Sequence, residues 1–283
     1  MRRKVALEVF ALLALSAGSM AIIAAPRLSR PTSEPLAETV TIPAGEFAYR
    51  PAAKYRLYGK LIDPPLERVR AEKPLQIMRF QVSRAQYARC VLASACTAAE
   101  GMPAPTSPYS EDDPQGRLPQ TGVNWYDARD FADWYSRQTG IVWRLPDDVE
   151  WQRAAVERFV DDALDVDQGL DPAQRWLAAY RRNVESRQDM VTGPQPLGAF
   201  GANSAGLMDL GGNVWEWTSS CVESVVVSAD RETKLGDTSF CGAHIAEGRH
   251  RAVVVDLVRN PKVGGCAAGV PPDFVGFRLV RDE

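Results

Sequence analysis

Apolar residues recur at helical spacing only in the first two thirds of this chain, and from Gly193 onward that period vanishes. A segment that alternates every 3.6 residues cannot also be a strand, so the break divides the sequence by element type. Before it, Ser83 is a good N-cap for a helix. Asn124 to Thr139 carries Ala128, Phe131, Ala132 and Tyr135 on one face, and Gly140 stops it. Asp147, with Glu150 three residues on, forms a capping box for a helix expected to run to about Val160, and Asp171 to Glu185 reads as another. Val40 to Tyr49 reads as two short strands around a Pro-Ala-Gly turn, and Leu75 to Val82 as a third. Residues 101–120 are proline-rich without an apolar period and form a long loop. The last stretch reads as short strands, turns and coil. Helices early and irregular strands late make a mixed α+β domain.

The N-terminus is of another kind. Arg2, Arg3 and Lys4 precede a mostly apolar run, Val5 to Ala25, that ends in small residues before Pro26. That order is a secretory signal peptide, or an uncleaved N-terminal anchor, since the run is long enough to span a bilayer. Residues 26–39 are a linker of Pro, Ser, Thr and charge, leaving residues 40–283 as one domain. Net charge is −3, and residues 1–25 carry three positive charges and one negative, so the remainder stands at −5. Neither nucleic acid nor an anionic membrane surface is the expected partner; the membrane enters only through an uncleaved N-terminus. Export places the domain in an oxidising compartment, the periplasm.

Five cysteines agree with that compartment. Cys90 and Cys96 lie close together, and Cys221 and Cys241 flank a polar segment. Two local disulfides with Cys266 left over is the simplest arithmetic, although four cysteines allow three pairings. Residues six apart on a continuous helix point in different directions, so a Cys90–Cys96 bridge requires its helix to stop near Ala93. The other bridge would close a loop of about 20 residues, worth on the order of 3 kcal/mol in the chain-entropy model.

One block is unusually specific: P-L-G-A-F-G-A-N-S-A-G-L-M-D-L-G-G-N-V-W-E-W-T, Pro196 to Thr218. With V-N-W-Y-D-A at 123–128, R-L-P-D-D-V-E-W at 144–151 and G-F-R-L-V at 276–280, it resembles the formylglycine-generating enzyme (sulfatase-modifying factor) family, whose members carry relatives of each block in the same order. The resemblance spans the domain and implies an α+β fold related to C-type lectins, low in regular secondary structure. Asp209 and Glu216 bracket a glycine turn, and hard oxygen ligands without His or Cys suit Ca²⁺. The resemblance implies a structural Ca²⁺ with ligands at Asp209, Gly212, Val214 and Glu216. The alternative is a turn braced by hydrogen bonds, with Trp215 and Trp217 in the core.

The sequence departs from the family at its catalytic centre. Aerobic members bind copper through a cysteine pair five apart, about twenty residues before the G-F-R. Counting back from Gly276 lands near His250 and Val255, and no C-x4-C occurs in the chain. The copper ligands are therefore missing, and formylglycine formation on sulfatases is not expected. The related iron-dependent sulfoxide synthases use an extra His-rich domain, whereas this chain has two histidines, His244 and His250.

The corresponding region, E-G-R-H-R-A-V-V-V-D-L-V-R-N-P-K-V-G-G-C, offers His250, Arg249, Arg251, Asp256, Arg259 and Cys266. A histidine beside a carboxylate can move protons, and arginines can hold an anionic or catechol-like ring. The same groups can equally pair to fix loops, and Arg278 of the G-F-R reads as a structural anchor. An exported member without the copper pair looks most like the PvdO-type branch that matures the siderophore pyoverdine. That resemblance implies oxidation of the dihydropyoverdine chromophore, with His250 as base and Asp256 and the arginines orienting the ring. No redox cofactor motif is visible, so dioxygen or a partner protein would accept the electrons. The alternative is a non-catalytic, lectin-like binding or maturation factor for a periplasmic metalloenzyme.

Overall fold

The computed structural model describes residues 34–110, 112–161, 163, 172–187, 193–260 and 274–282. The expected signal segment, most of the linker and Cys266 lie outside these residues. Six short strands open the domain: β1 (Thr39–Ile42), β2 (Gly45–Tyr49), β3 (Lys54–Leu57), β4 (Lys60–Ile62), β5 (Glu67–Ala71) and β6 (Leu75–Met78). Then come α1 (Arg84–Leu92), α2 (Trp125–Thr139), β7 (Trp143–Arg144), α3 (Asp148–Ala155) and α4 (Pro172–Arg187). The C-terminal part holds β8 (Trp215–Val227), β9 (Lys234–Glu247), β10 (Ala252–Val255), β11 (Val275–Gly276) and β12 (Val280–Arg281). Among the described residues no helix is long and apolar enough to cross a membrane.

Helix starts follow side-chain chemistry. Ser83, Asn124 and Asp147 each accept from the backbone N–H three residues on, and Gln86, Asp127 and Glu150 return the bond to the cap, completing three capping boxes. Gly140 ends α2 in the left-handed conformation, φ 71°, that a Cβ would disfavour. Helix α1 stops at Ala93, and the Cys90–Cys96 disulfide closes over that stop. Helix α3 is shorter than expected. It gives way to a 3-10 turn over Val156–Arg158, because Val156 adopts φ 49° and cannot continue the helix.

The strands make a four-stranded sheet, β1-β6-β12-β7, and a larger one, β10-β9-β8-β3-β4, with β11 parallel to β8; β2 and β5 pair separately. The C-terminal part is not only short strands. β8 and β9 are 13 and 14 residues long and form a bulged antiparallel hairpin, bridged by Cys221–Cys241. The first eight residues of β9 are exposed, so nothing in them alternates between core and solvent. The main core packs Phe131, Trp134 and Tyr135 of α2 against Tyr87, Trp217 and Phe277. Burying one such ring contributes roughly 1.5–3 kcal/mol.

Candidate functional site

Trp215, the first residue of β8, lines a shallow cleft that is open to solvent. Phe200, Val214 and Phe274 supply apolar walls, and Arg249 supplies a cation. A Cβ on Gly248 would stand 2.7 Å from the Trp215 ring, so a glycine is needed for the chain to pass there. The Trp215 indole N–H donates to the His250 carbonyl at 2.8 Å, and the two rings lie 5.0 Å apart. His250 Nδ1 lies 3.0 Å from the Arg251 carbonyl, which can only accept. In that contact Nδ1 therefore carries the hydrogen.

The remaining candidates separate from this cavity. Asp256 does not orient His250. It pairs with His244, whose Nδ1 is 2.6 Å from Asp256 Oδ1, because the β9–β10 register sets Val254 opposite His244 and carries Asp256 back over the hairpin. Both groups are buried. The His244 ring stacks on Trp125 at 4.1 Å and 10°, and its Nε2 is 3.7 Å from Cys221 Sγ. Sequence reasoning missed His244 as a site residue. The signal that would have found it is the hairpin register, which local pattern does not carry.

Arg251 is likewise drawn into the core. Its Nε donates to Glu247 Oε1 at 2.8 Å and its terminal nitrogens donate to the Arg50 and Pro51 carbonyls. Arg259 holds Asp127 at 2.8 Å and the Ala98 carbonyl, tying β10's exit to the cap of α2. Around Arg251, Asp148 and Glu247 are both buried. Burial, then the nearby Asp148, pushes the Glu247 carboxyl well above the usual carboxylate range, against the pull of Arg251. Tyr49 donates to Asp148 Oδ2 at 2.8 Å and, chiefly through burial, is pushed above the ordinary phenol range.

The calcium ligands expected from the resemblance do not fit an ion as arranged. Glu216 Oε1 accepts from Arg278 Nη2 at 2.7 Å and Gln81 Nε2 at 2.8 Å, while Oε2 accepts from Arg278 Nε at 2.7 Å and Trp151 Nε1 at 2.9 Å. Four donors occupy the four lone-pair directions of the carboxylate. Asp209 accepts from the Gly198 and Phe200 backbone N–H groups, Gly212 donates its N–H to the Asp209 carbonyl, and the Val214 carbonyl lies 3.4 Å from Gln81 Nε2. The turn is braced by hydrogen bonds, and Arg278 is its anchor. Among the described residues no three His, Cys, Asp or Glu side chains gather as a metal site.

The domain family described as sulfatase-modifying factor enzyme 1-like matches residues 25–283. The chain belongs to this family. Among its relatives, the formylglycine-generating enzyme of Mycobacterium tuberculosis is 27% identical over 182 residues, 58% of this chain and 57% of that protein. The inactive C-alpha-formylglycine-generating enzyme 2 of Mus musculus is 32% identical over 159 residues, 55% of this chain and 48% of that protein. The chain thus matches about half the length of these relatives, and they include both an enzyme and a protein named as inactive. In fold it is similar to PvdO from Pseudomonas aeruginosa, with TM-score 0.53 and 21% identity over 87% of this chain and 95% of that one. Treponema denticola variable protein 1 gives TM-score 0.50 at 16% identity over the same shares. This family member keeps the G-N-V-W-E-W turn and the G-F-R anchor, but not the copper cysteine pair.

Proposed function

We propose that this protein is an exported maturation oxidase that acts on a small, electron-rich aromatic precursor, dihydropyoverdine being the candidate substrate. The observation that carries the reading is the cavity between Phe200, Trp215 and Phe274 with Arg249 at its wall. Aromatic walls suit a flat ring, and a guanidinium suits its phenolate or carboxylate. His250, packed on Trp215, is the base of this reading. Arg249 and His250 are the residues of this role. Arg251 and Asp256 are engaged elsewhere, with Glu247 and His244. In the reaction two electrons and two protons leave the ring, and dioxygen accepts them to give hydrogen peroxide. The family relationship and the likeness in fold to PvdO support the choice of substrate class.

The test incubates the purified protein with dihydropyoverdine in air and follows the chromophore absorbance. Turnover is expected, falling on the order of 10²-fold in His250→Ala, the scale of a lost general base. Arg249→Ala is expected to raise KM more than it lowers kcat. No turnover, with or without added metal, overturns the oxidase reading. Quenching of tryptophan fluorescence without turnover would make the chain a lectin-like binding or maturation factor instead.

A further inference from the structure

The Cys221–Cys241 disulfide has a setting that the aromatic cavity does not explain. Cys241 is exposed, Cys221 is half-buried, and Cys221 Sγ faces His244 Nε2 at 3.7 Å. Behind the imidazole stands Asp256, and its second oxygen, Oδ2, is buried without a hydrogen-bond partner. That carboxylate can hold a protonated His244, whose Nε2–H would then point at the inner sulfur. The other bridge is unlike this. Cys90 is fully buried, and the chain's two histidines are engaged with Cys221 and Trp215. The outer sulfur also has an apolar approach. Phe240, 65% exposed, covers Gly242, and Leu257, 73% exposed, follows Asp256, whose N–H donates to the Gly242 carbonyl.

We propose that Cys221–Cys241 is a redox-active disulfide that oxidises a dithiol, with His244 and Asp256 stabilising the leaving sulfur. An incoming thiol loses its proton to solvent, and its thiolate attacks the exposed Cys241 Sγ in line with the S–S bond, on the side away from His244. The Cys221–Cys241 bond breaks and its electron pair leaves on Cys221, as a thiolate beside the imidazolium. A good leaving thiolate is what makes exchange fast at the other sulfur. The second thiol of the substrate then attacks the substrate sulfur of the mixed disulfide and releases Cys241. One dithiol becomes one disulfide, and the two electrons rest on Cys221 and Cys241. The phenyl ring of Phe240 and the side chain of Leu257 favour a dithiol carried on an apolar peptide segment over a small polar thiol.

The test uses the full, oxidised chain and reduced dithiothreitol, with differential alkylation and mass spectrometry over time. The Cys221–Cys241 bridge is expected to open at least about ten-fold faster than Cys90–Cys96 in the same molecule, which is the internal control. Glutathione in place of dithiothreitol should be trapped on Cys241, not Cys221. His244→Phe keeps the stack on Trp125 and should slow opening about ten-fold, while His244→Gln serves if that variant does not fold. Equal opening of the two bridges, glutathione on Cys221, or an unchanged rate in the folded His244 variant each overturns the proposal. The wild-type comparison stands without any variant, and none of these readouts involves the aromatic cavity.

Discussion

Two buried carboxylate clusters in this domain are supplied with donors in opposite ways. At Glu216 one carboxylate meets a guanidinium, an amide and an indole, so every lone pair has its own hydrogen and the charges cancel. At Asp148 and Glu247 two carboxylates share a single close guanidinium, Arg251, whose Nε reaches Glu247 at 2.8 Å but Asp148 only at 3.8 Å. Asp148 Oδ1 receives no donor from the basic groups around it. Burial and the neighbouring Asp148 favour a proton on Glu247. The same residue type is thus matched donor for lone pair in one place and pushed toward its neutral form in the other, and supply of N–H groups decides which.

Substitution by glutamine separates the two. Glu216→Gln removes the charge opposite a fully buried Arg278 and should cost about 3–5 kcal/mol in urea unfolding, the scale of a broken buried ion pair. Glu247→Gln puts a neutral amide of the same shape where burial disfavours a charge and should cost under about 1.5 kcal/mol at neutral pH. Equal losses at the two positions would erase the distinction.

The pH profile sharpens it further. Because the folded Glu247 pKa is raised above its ordinary 4.5, the folded state binds more protons than the unfolded chain above that pH. The stability it contributes is full below about 4.5 and is lost as pH rises through the folded value. Urea midpoints measured upward from pH 4.5 should therefore fall more steeply in the wild type than in Glu247→Gln. Parallel profiles would place the proton elsewhere. The smallest expected effect is none at all: a chelator should leave Tm unchanged, since Glu216 has no lone pair to give a cation. A drop in Tm would restore calcium to the turn between Asp209 and Glu216.

Local chemistry was legible where it acts within a few residues. Ser83, Asn124 and Asp147 start helices by bonds to their own third neighbour, and Gly140 ends one, so those boundaries follow from sequence. The two disulfides are the simplest of the pairings the spacing left open, and the domain's family follows from its ordered blocks. What stayed hidden depends on register. Asp256 is six residues from His250 and twelve from His244, yet the β9–β10 hairpin gives it to the more distant histidine. Glu216 looked free for a metal because Arg278, Gln81 and Trp151 are more than sixty residues away in the chain. The length of β9 was missed because its first half has no buried face to pattern it.

The segment 275–281 threads both sheets, β11 lying on β8 and β12 between β6 and β7, with Arg278 between them. Neither sheet is complete, and Glu216 has no counter-charge, before this short piece arrives. In chain order it comes after everything it joins, roughly 200 residues beyond β6. Synthesis from the N-terminus therefore yields a nearly whole domain that cannot yet settle, with Trp151 and Trp217 waiting for Phe277 and Arg278. The domain is a clasp that shuts only when this segment is in place.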